Sequence, residues 1–234
     1  MQYVLCHKDF EFPTKTWLGQ DLVAIWQRHT PDQEPPKTNL PLIEYTSKYD
    51  DRIYGELGAW DWISNNSKDE FNGLHHYRRL IQYPTYQIAV PKPIAFSGSL
   101  ADQMSYYHSP KVVEALTKAL ENDILTKMNV FFAYNLFNAP KEVLINWLQF
   151  VIPHIEKAVF ELGYAGLTYE QFVDKVANDK SFVTGGPDKN VSSTYQARWP
   201  ACAIERLNSI FWQLVCQYPY IPCEIKLLES GQKI

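Results

Sequence analysis

The chain has 234 residues, of which 46% are hydrophobic and 21% charged, and a formal net charge of −4. This composition excludes a disordered chain, and the mild acidity argues against a broad nucleic-acid surface, which needs clustered Lys and Arg. No run of about 18 apolar residues is present to span a bilayer, and Met1-Gln2-Tyr3 lacks the layout of a secretory leader, so a cytoplasmic location is expected.

In chain order, Tyr3-Val4-Leu5-Cys6 is an apolar run bounded by polar residues, which predicts a buried strand ending at His7-Lys8-Asp9. Residues 30–41 hold Pro31, Pro35, Pro36 and Pro41 among polar residues and read as a loop. Leu42-Ile43-Glu44-Tyr45 reads as a second strand. Residues 55–66 form a helix with Glu56, Ala59, Trp60 and Ile63 on one face, and residues 71–75 a strand after it. Pro91 and Pro93 make residues 88–96 one or two short edge strands. The rest is mostly helical. Ser109 as N-cap and Pro110 at the first position start a helix to about Leu125. Residues 129–135 are strand-like, and Asn138-Ala139-Pro140 opens a long amphipathic helix to about Leu162. That helix has no Lys/Arg-rich face and belongs to the core rather than to a membrane surface. Thr168-x-x-Gln171 is a capping box. Gly185-Gly186-Pro187-Asp188 marks a loop, residues 200–218 a last helix and residues 224–228 a strand. One α/β domain, more helical in its C-terminal half, accounts for the whole chain.

Cys6, Cys202, Cys216 and Cys223 have neither C-x-x-C nor zinc-type spacing and read as reduced thiols. The aromatic fraction of 15% suits stacking on sugar rings or bases, although core filling accounts for most of it.

The densest polar constellation is Gly73-Leu74-His75-His76-Tyr77-Arg78-Arg79, where a buried strand gives way to a loop. Paired arginines there are either permanently charged forks for phosphate oxygens or strand-end salt bridges. Glu56, on the apolar face of its helix, needs a partner: Arg78 or Arg79, or the helix N-terminus. Strand ends at Cys6 and His75 become neighbours in a parallel sheet, which would bring His7, Glu56 and His76 to one cleft.

Residues 54–62, Tyr-Gly-Glu-Leu-Gly-Ala-Trp-Asp-Trp, followed by the 73–79 constellation, resemble the paired Glu-Leu-Thr and His-Tyr-Arg-Arg motifs of a bacterial capsular-polysaccharide glycosyltransferase family, once catalogued as a domain of unknown function. Val4 to Asp9 is similar to that family's first strand and its His-Lys. Gln103 to His108 resembles its mid-chain Tyr and His segment, and Tyr195-Gln196-Ala197-Arg198 with Ala203-Ile204-Glu205-Arg206-Leu207 its closing pattern. Gly58 stands where the family has threonine, and Asp61 where it has an aromatic.

The resemblance implies a GT-A-like α/β fold, a mostly parallel sheet flanked by helices, in which a nucleotide-sugar-binding half (about residues 1–100) meets an acceptor-side half (about residues 101–234). It implies a nucleotide-diphosphate sugar donor, such as a UDP-sugar. The acceptor would be a glycan or lipid-linked hydroxyl in surface polysaccharide synthesis, at the inner membrane face. Donor-binding candidates are His7, Lys8, Glu56, His75, His76, Arg78 and Arg79; acceptor-side candidates are Tyr107, His108, Arg198 and Arg206. For the carboxylate that takes the acceptor proton, the candidates are Glu205, Asp61 and Asp188, with an ion pair to Arg198 as the structural alternative for Glu205. Such folds often hold Mg or Mn with Asp-x-Asp, which is absent from this sequence. His76, Arg78 and Arg79 would neutralise the diphosphate without metal, and a metal on Asp50 or Asp51 is the remaining option. Two other readings stand beside this one: a phage-type transferase acting on a hydroxymethylated DNA base, and a non-catalytic nucleotide-sugar-binding protein.

Overall fold

A computed structural model describes residues 1–16, 18–82, 86–182 and 192–228. The first half runs β1 (Gln2–Leu5), β2 (Leu22–Gln27), β3 (Leu42–Tyr45), α1 (Asp51–Tyr54), α2 (Leu57–Asn66), β4 (Phe71–His76), β5 (Arg79–Ile81), β6 (Ala89–Pro91) and β7 (Ile94–Ala95). The second runs α3 (Leu100–Tyr107), α4 (Pro110–Leu120), α5 (Ile124–Lys127), β8 (Val130–Phe131), β9 (Asn138–Pro140), α6 (Lys141–Glu161), α7 (Tyr169–Asn178), α8 (Ser193–Gln196), α9 (Trp199–Ile210), β10 (Ile221–Cys223) and β11 (Ile225–Leu227).

The main sheet has the order β10-β6-β9-β4-β1-β2-β3. Its β4-β1-β2-β3 block is parallel, with Val4 opposite both Ala24 and His75, and Leu5 opposite Ile25 and His76. β1 and most of β4 are buried, as strands covered on both faces must be, and this explains their continuous apolar runs. From β1 the chain steps outward through β2 to β3, then crosses by α1 and α2 to β4 on the other side of β1. The order of the parallel strands therefore reverses between β1 and β4, the place where open α/β sheets bind ligands at the strands' carboxyl ends. β9 and β5 join β4 antiparallel, β5 as a hairpin through Tyr77 and Arg78.

Close approach marks two glycines, one against a side-chain amide and one against backbone. A Cβ on Gly73 would lie 2.0 Å from Gln2 Oε1, the amide that crosses β4 to donate to Asn138 Oδ1 at 3.0 Å. A Cβ on Gly58 would lie 2.5 Å from the Tyr49 carbonyl oxygen, so α2 can pack here only without a side chain. The long helix α6 packs on α4, α9 and α2. Trp60 stacks on Phe137 at 4.1 Å, and the Trp147 and Trp212 indoles both donate to Asn208 Oδ1, at 2.9 and 2.8 Å. Much of the aromatic content is thus core.

Several sequence expectations are corrected. β2 and α3 add to the expected elements, and α3 carries its own capping box from Ser99 and Asp102. β6 is interior, between β9 and β10; it tolerates Pro91 because that residue ends the strand. Residues 138–140 form a strand rather than a helix start, since Asn138 is buried among strand neighbours and donates to the Gln87 carbonyl at 2.8 Å. Only Val130–Phe131 of residues 129–135 pairs as a strand; Tyr134 beyond it has a φ of 63°. The last helix is regular to Ile210 and closes in a π turn, Phe211–Val215. The Thr168 capping box forms as expected. Among the described residues no helix is long and apolar enough to cross a membrane.

Candidate functional site

A cleft of about 470 Å³ opens at the carboxyl ends of β4-β1-β2-β3. Each parallel strand places a polar group there just beyond its end: His7 after β1, His29 after β2, Asp51 at the start of α1 after β3, and His76 at the end of β4. Arg78 from the β4–β5 turn and Arg198 before α9 add permanent cations, and Tyr169 and Tyr195 line the helical side.

Asp51, 2% exposed, is the negative centre of this edge. Its Oδ2 lies 3.2 Å from His7 Nδ1 and its Oδ1 2.8 Å from His29 Nε2, while its backbone N–H donates to Gln27 Oε1 at 2.8 Å. Burial alone would raise its pKa, but the two imidazoles outweigh that penalty and hold the carboxyl well below its ordinary range. It is therefore ionised. The His7 ring is 5.3 Å from the His76 ring across the switch point. Burial, and then the neighbouring His7, Arg79, Arg78 and Arg198, depress the His76 pKa strongly and keep its imidazole neutral. The Arg78 amide donates to His76 Nδ1 at 3.4 Å, which makes Nε2 the ring's N–H donor.

The sequence candidates distribute unevenly around this cleft. His7, His76, Arg78 and Arg198 line it. Lys8 lines an adjoining groove of about 400 Å³ that shares His7, Trp26 and Gln33 with the cleft and is closed by Pro35, Pro36 and Lys37. His75 is fully buried, receives the Ile81 amide on Nδ1 at 3.1 Å, and has its pKa pushed down to about 3 by burial. The arginine pair divides: Arg78 is exposed at the cleft, whereas the Arg79 guanidinium lies 3.9 Å over the Tyr134 ring.

A second polar cluster surrounds Tyr134 and Asn135. Glu56 does not line the cleft with His7 and His76 as expected; it accepts from Asn135 Nδ2 at 3.3 Å, and among the described residues neither Arg78 nor Arg79 bonds it, a correction to the expected pairing as well. It is the N-cap residue of α2 but makes no side-chain cap bond. Glu205 pairs with Arg206 at 3.2 Å and accepts the Tyr134 amide at 3.0 Å, instead of pairing with Arg198. Burial raises its pKa, and the Glu56 charge adds to this against the pull of Arg206 and Arg79. Arg206 is itself buried and donates to the Cys202 carbonyl and to Gln103.

His108 stacks on Tyr195, which also lines the cleft, and contacts Gln196 Oε1 at 3.2 Å; its pKa is lowered to about 3 by burial and by Arg206. Tyr107 accepts from Gln196 Nε2 through its carbonyl. Asp61 is half-buried on α2, away from the cleft lining; burial raises its pKa while Lys48 and Ser47 oppose the rise. Asp188 lies outside the described residues.

His29, Asp50 and Asp51 are compact enough to share an ion. Their polar atoms are already turned on one another and on the chain. Asp50 caps α1 through the Arg52 amide and grips the Arg52 guanidinium at 2.6 Å, and Asp51 is held by both imidazoles. Sequence reasoning had not singled out His29. The signal was the apolar run Leu22-Val23-Ala24-Ile25-Trp26 followed by polar residues, the same pattern that marked His7.

No family model matches the sequence, and no curated protein matches it. Solved structures do match by fold. One is the apo structure of the bifunctional glycosyltransferase WbbM, which aligns over 98% of this chain and 45% of its own at a TM-score of 0.59 and 12% identity. The chain spans under half of that protein, and at this identity the likeness is one of architecture. The fold is therefore α/β and GT-A-like, with a largely parallel central sheet flanked by helices.

Proposed function

We propose that the chain transfers a sugar from a nucleotide-diphosphate sugar to an acceptor hydroxyl, and that its role is in surface polysaccharide synthesis. The carrying observation is the cleft itself. It lies at the switch point of a GT-A-like sheet, its volume suits a small ligand, and Arg78, Arg198 and the His76 N–H donor converge on it beside the half-exposed His7. Forked guanidiniums and a neutral imidazole donor are suited to diphosphate oxygens, which must be neutralised as the leaving group departs. The fold shared with a glycosyltransferase supports the same reading.

In this reading residues 1–100 form most of the donor site, with Arg198 reaching the diphosphate from the other half. Residues 101–234 form the acceptor side, with Tyr195 and His108 at its border, and the cationic side chains take the place of a metal. Thermal shift and calorimetry with UDP, GDP, CDP and dTDP and their glucose conjugates test it. One nucleotide should raise Tm and bind stoichiometrically, and its sugar conjugate should be slowly hydrolysed. A protein that binds none of them has another function.

A further inference from the structure

We propose that His7 is the general base of the transfer and that Asp51 positions it, an assignment that rests on the donor reading above. The geometry is that of an oriented base. Asp51 Oδ2 lies 3.2 Å from His7 Nδ1, so the ring proton sits on Nδ1 and Nε2 is left as an acceptor. Asp51 cannot swing away, because His29 Nε2 holds its other oxygen at 2.8 Å and Gln27 holds its backbone. His7 is 28% exposed in the cleft wall while Asp51 is 1% exposed behind it, so only the imidazole reaches substrate. His76, 5.3 Å away between ring centres, presents a donor where His7 presents an acceptor. The other groups facing His7 are Tyr77, with Lys8 and Arg78 over its ring. Asp51 is the one carboxylate among the described residues lining the cleft, and it is buried behind His7 and His29.

In the step, the acceptor oxygen bonds the anomeric carbon as its proton passes to His7 Nε2. The bond from that carbon to the diphosphate oxygen breaks, and its electron pair leaves with the nucleoside diphosphate. The resulting imidazolium faces the ionised Asp51, which takes no proton.

The test uses donor hydrolysis, transfer to water, with the nucleotide sugar found above, in His7→Ala, His7→Gln and Asp51→Asn, alongside calorimetry with the free nucleoside diphosphate. Turnover should fall about 10²- to 10⁴-fold in each variant, while nucleotide affinity stays within about threefold, less than 1 kcal/mol. Added imidazole should partly restore His7→Ala. His7→Gln, at a half-exposed position, keeps the test open if Asp51→Asn fails to fold. Affinity lost in step with turnover would mean that His7 is a phosphate-binding group and would overturn the assignment. Wild-type protein that binds no nucleotide defeats the donor reading and the assignment with it, whereas nucleotide binding without His7 dependence of turnover defeats the assignment alone.

Discussion

The adjacent arginines should separate cleanly by mutation, because the structure gives them different surroundings. Arg78 is exposed at the cleft, with its guanidinium 5.2 Å from the Tyr77 ring and no carboxylate partner among the described residues. Arg79 lies on Tyr134 at 3.9 Å. A charge-assisted hydrogen bond to phosphate contributes about 1.5–3 kcal/mol. Arg78 is well solvated before ligand arrives, so the lower end applies: Arg78→Ala should weaken nucleotide binding by about 1.5 kcal/mol, roughly tenfold in Kd. Arg78→Lys should recover only part of this, since a point charge does not reproduce a fork. Arg79→Ala loses a cation–π contact of about 0.5–2 kcal/mol and should lower stability by that amount while leaving Kd nearly unchanged. Calorimetry at low and at high salt, with urea denaturation of each variant, gives both numbers. Should Arg79→Ala weaken binding tenfold at unchanged stability while Arg78→Ala binds normally, the placement of the phosphates beside Arg78 is wrong.

Asn208→Ala removes the acceptor of two buried indole N–H groups, each costing about 1–3 kcal/mol when unsatisfied, so urea denaturation should show a loss of several kcal/mol. Gly58→Thr, which restores the residue usual in the resembling family, drives a Cβ to within 2.5 Å of the Tyr49 carbonyl and should lower stability by about 1–3 kcal/mol or more; an unchanged Tm would refute the packing described at α2. His75 and His108 are neutral in the folded chain, with pKa values near 3 against an ordinary 6.5, so the unfolded chain binds their protons first on acidification. Stability should therefore fall as pH drops below about 6.5, by up to about 1.4 kcal/mol per pH unit for each histidine. Denaturation at pH 7 and 5 measures the slope, and equal stabilities would contradict it. Because Asp50 and Asp51 are engaged by Arg52 and the imidazoles, EDTA treatment should leave nucleotide affinity unchanged, and a chelator-dependent loss restored by Mg or Mn would place a metal at His29, Asp50 and Asp51.

Elements whose cause is local were legible. β1 announces itself as an apolar run ending in His-Lys-Asp, β4 runs from a polar segment to the 73–79 constellation, and α7 follows from the Thr168 and Gln171 caps. The candidate cleft was legible in part: a histidine at or just after a strand end is delivered to the sheet edge, and that placement together with the family resemblance singles out His7 and His76. Elements decided by remote partners were not legible. Pro140 serves equally as the end of a strand and the entrance to a helix, and it is the buried Asn138, bonded to Gln87 and Gln2, that makes residues 138–140 a strand.

Charge pairing shows the same division. That Glu56 needs a partner follows from burial, but Asn135 is 79 residues away, and only the packed chain brings it there. Arg78 and Arg79 are equal as letters. The β4–β5 turn sends one guanidinium to the cleft and the other onto Tyr134, because successive side chains at a strand face opposite ways. Hydrophobic periodicity and capping act within a few residues, so the α/β class, the buried strands and the polar residues at their ends can be read from the chain's letters. The tertiary structure alone decided that His7, His29 and Asp51 form one linked group. They come from the segments that follow three different strands, and only the parallel register of β1, β2 and β3 brings those segments together.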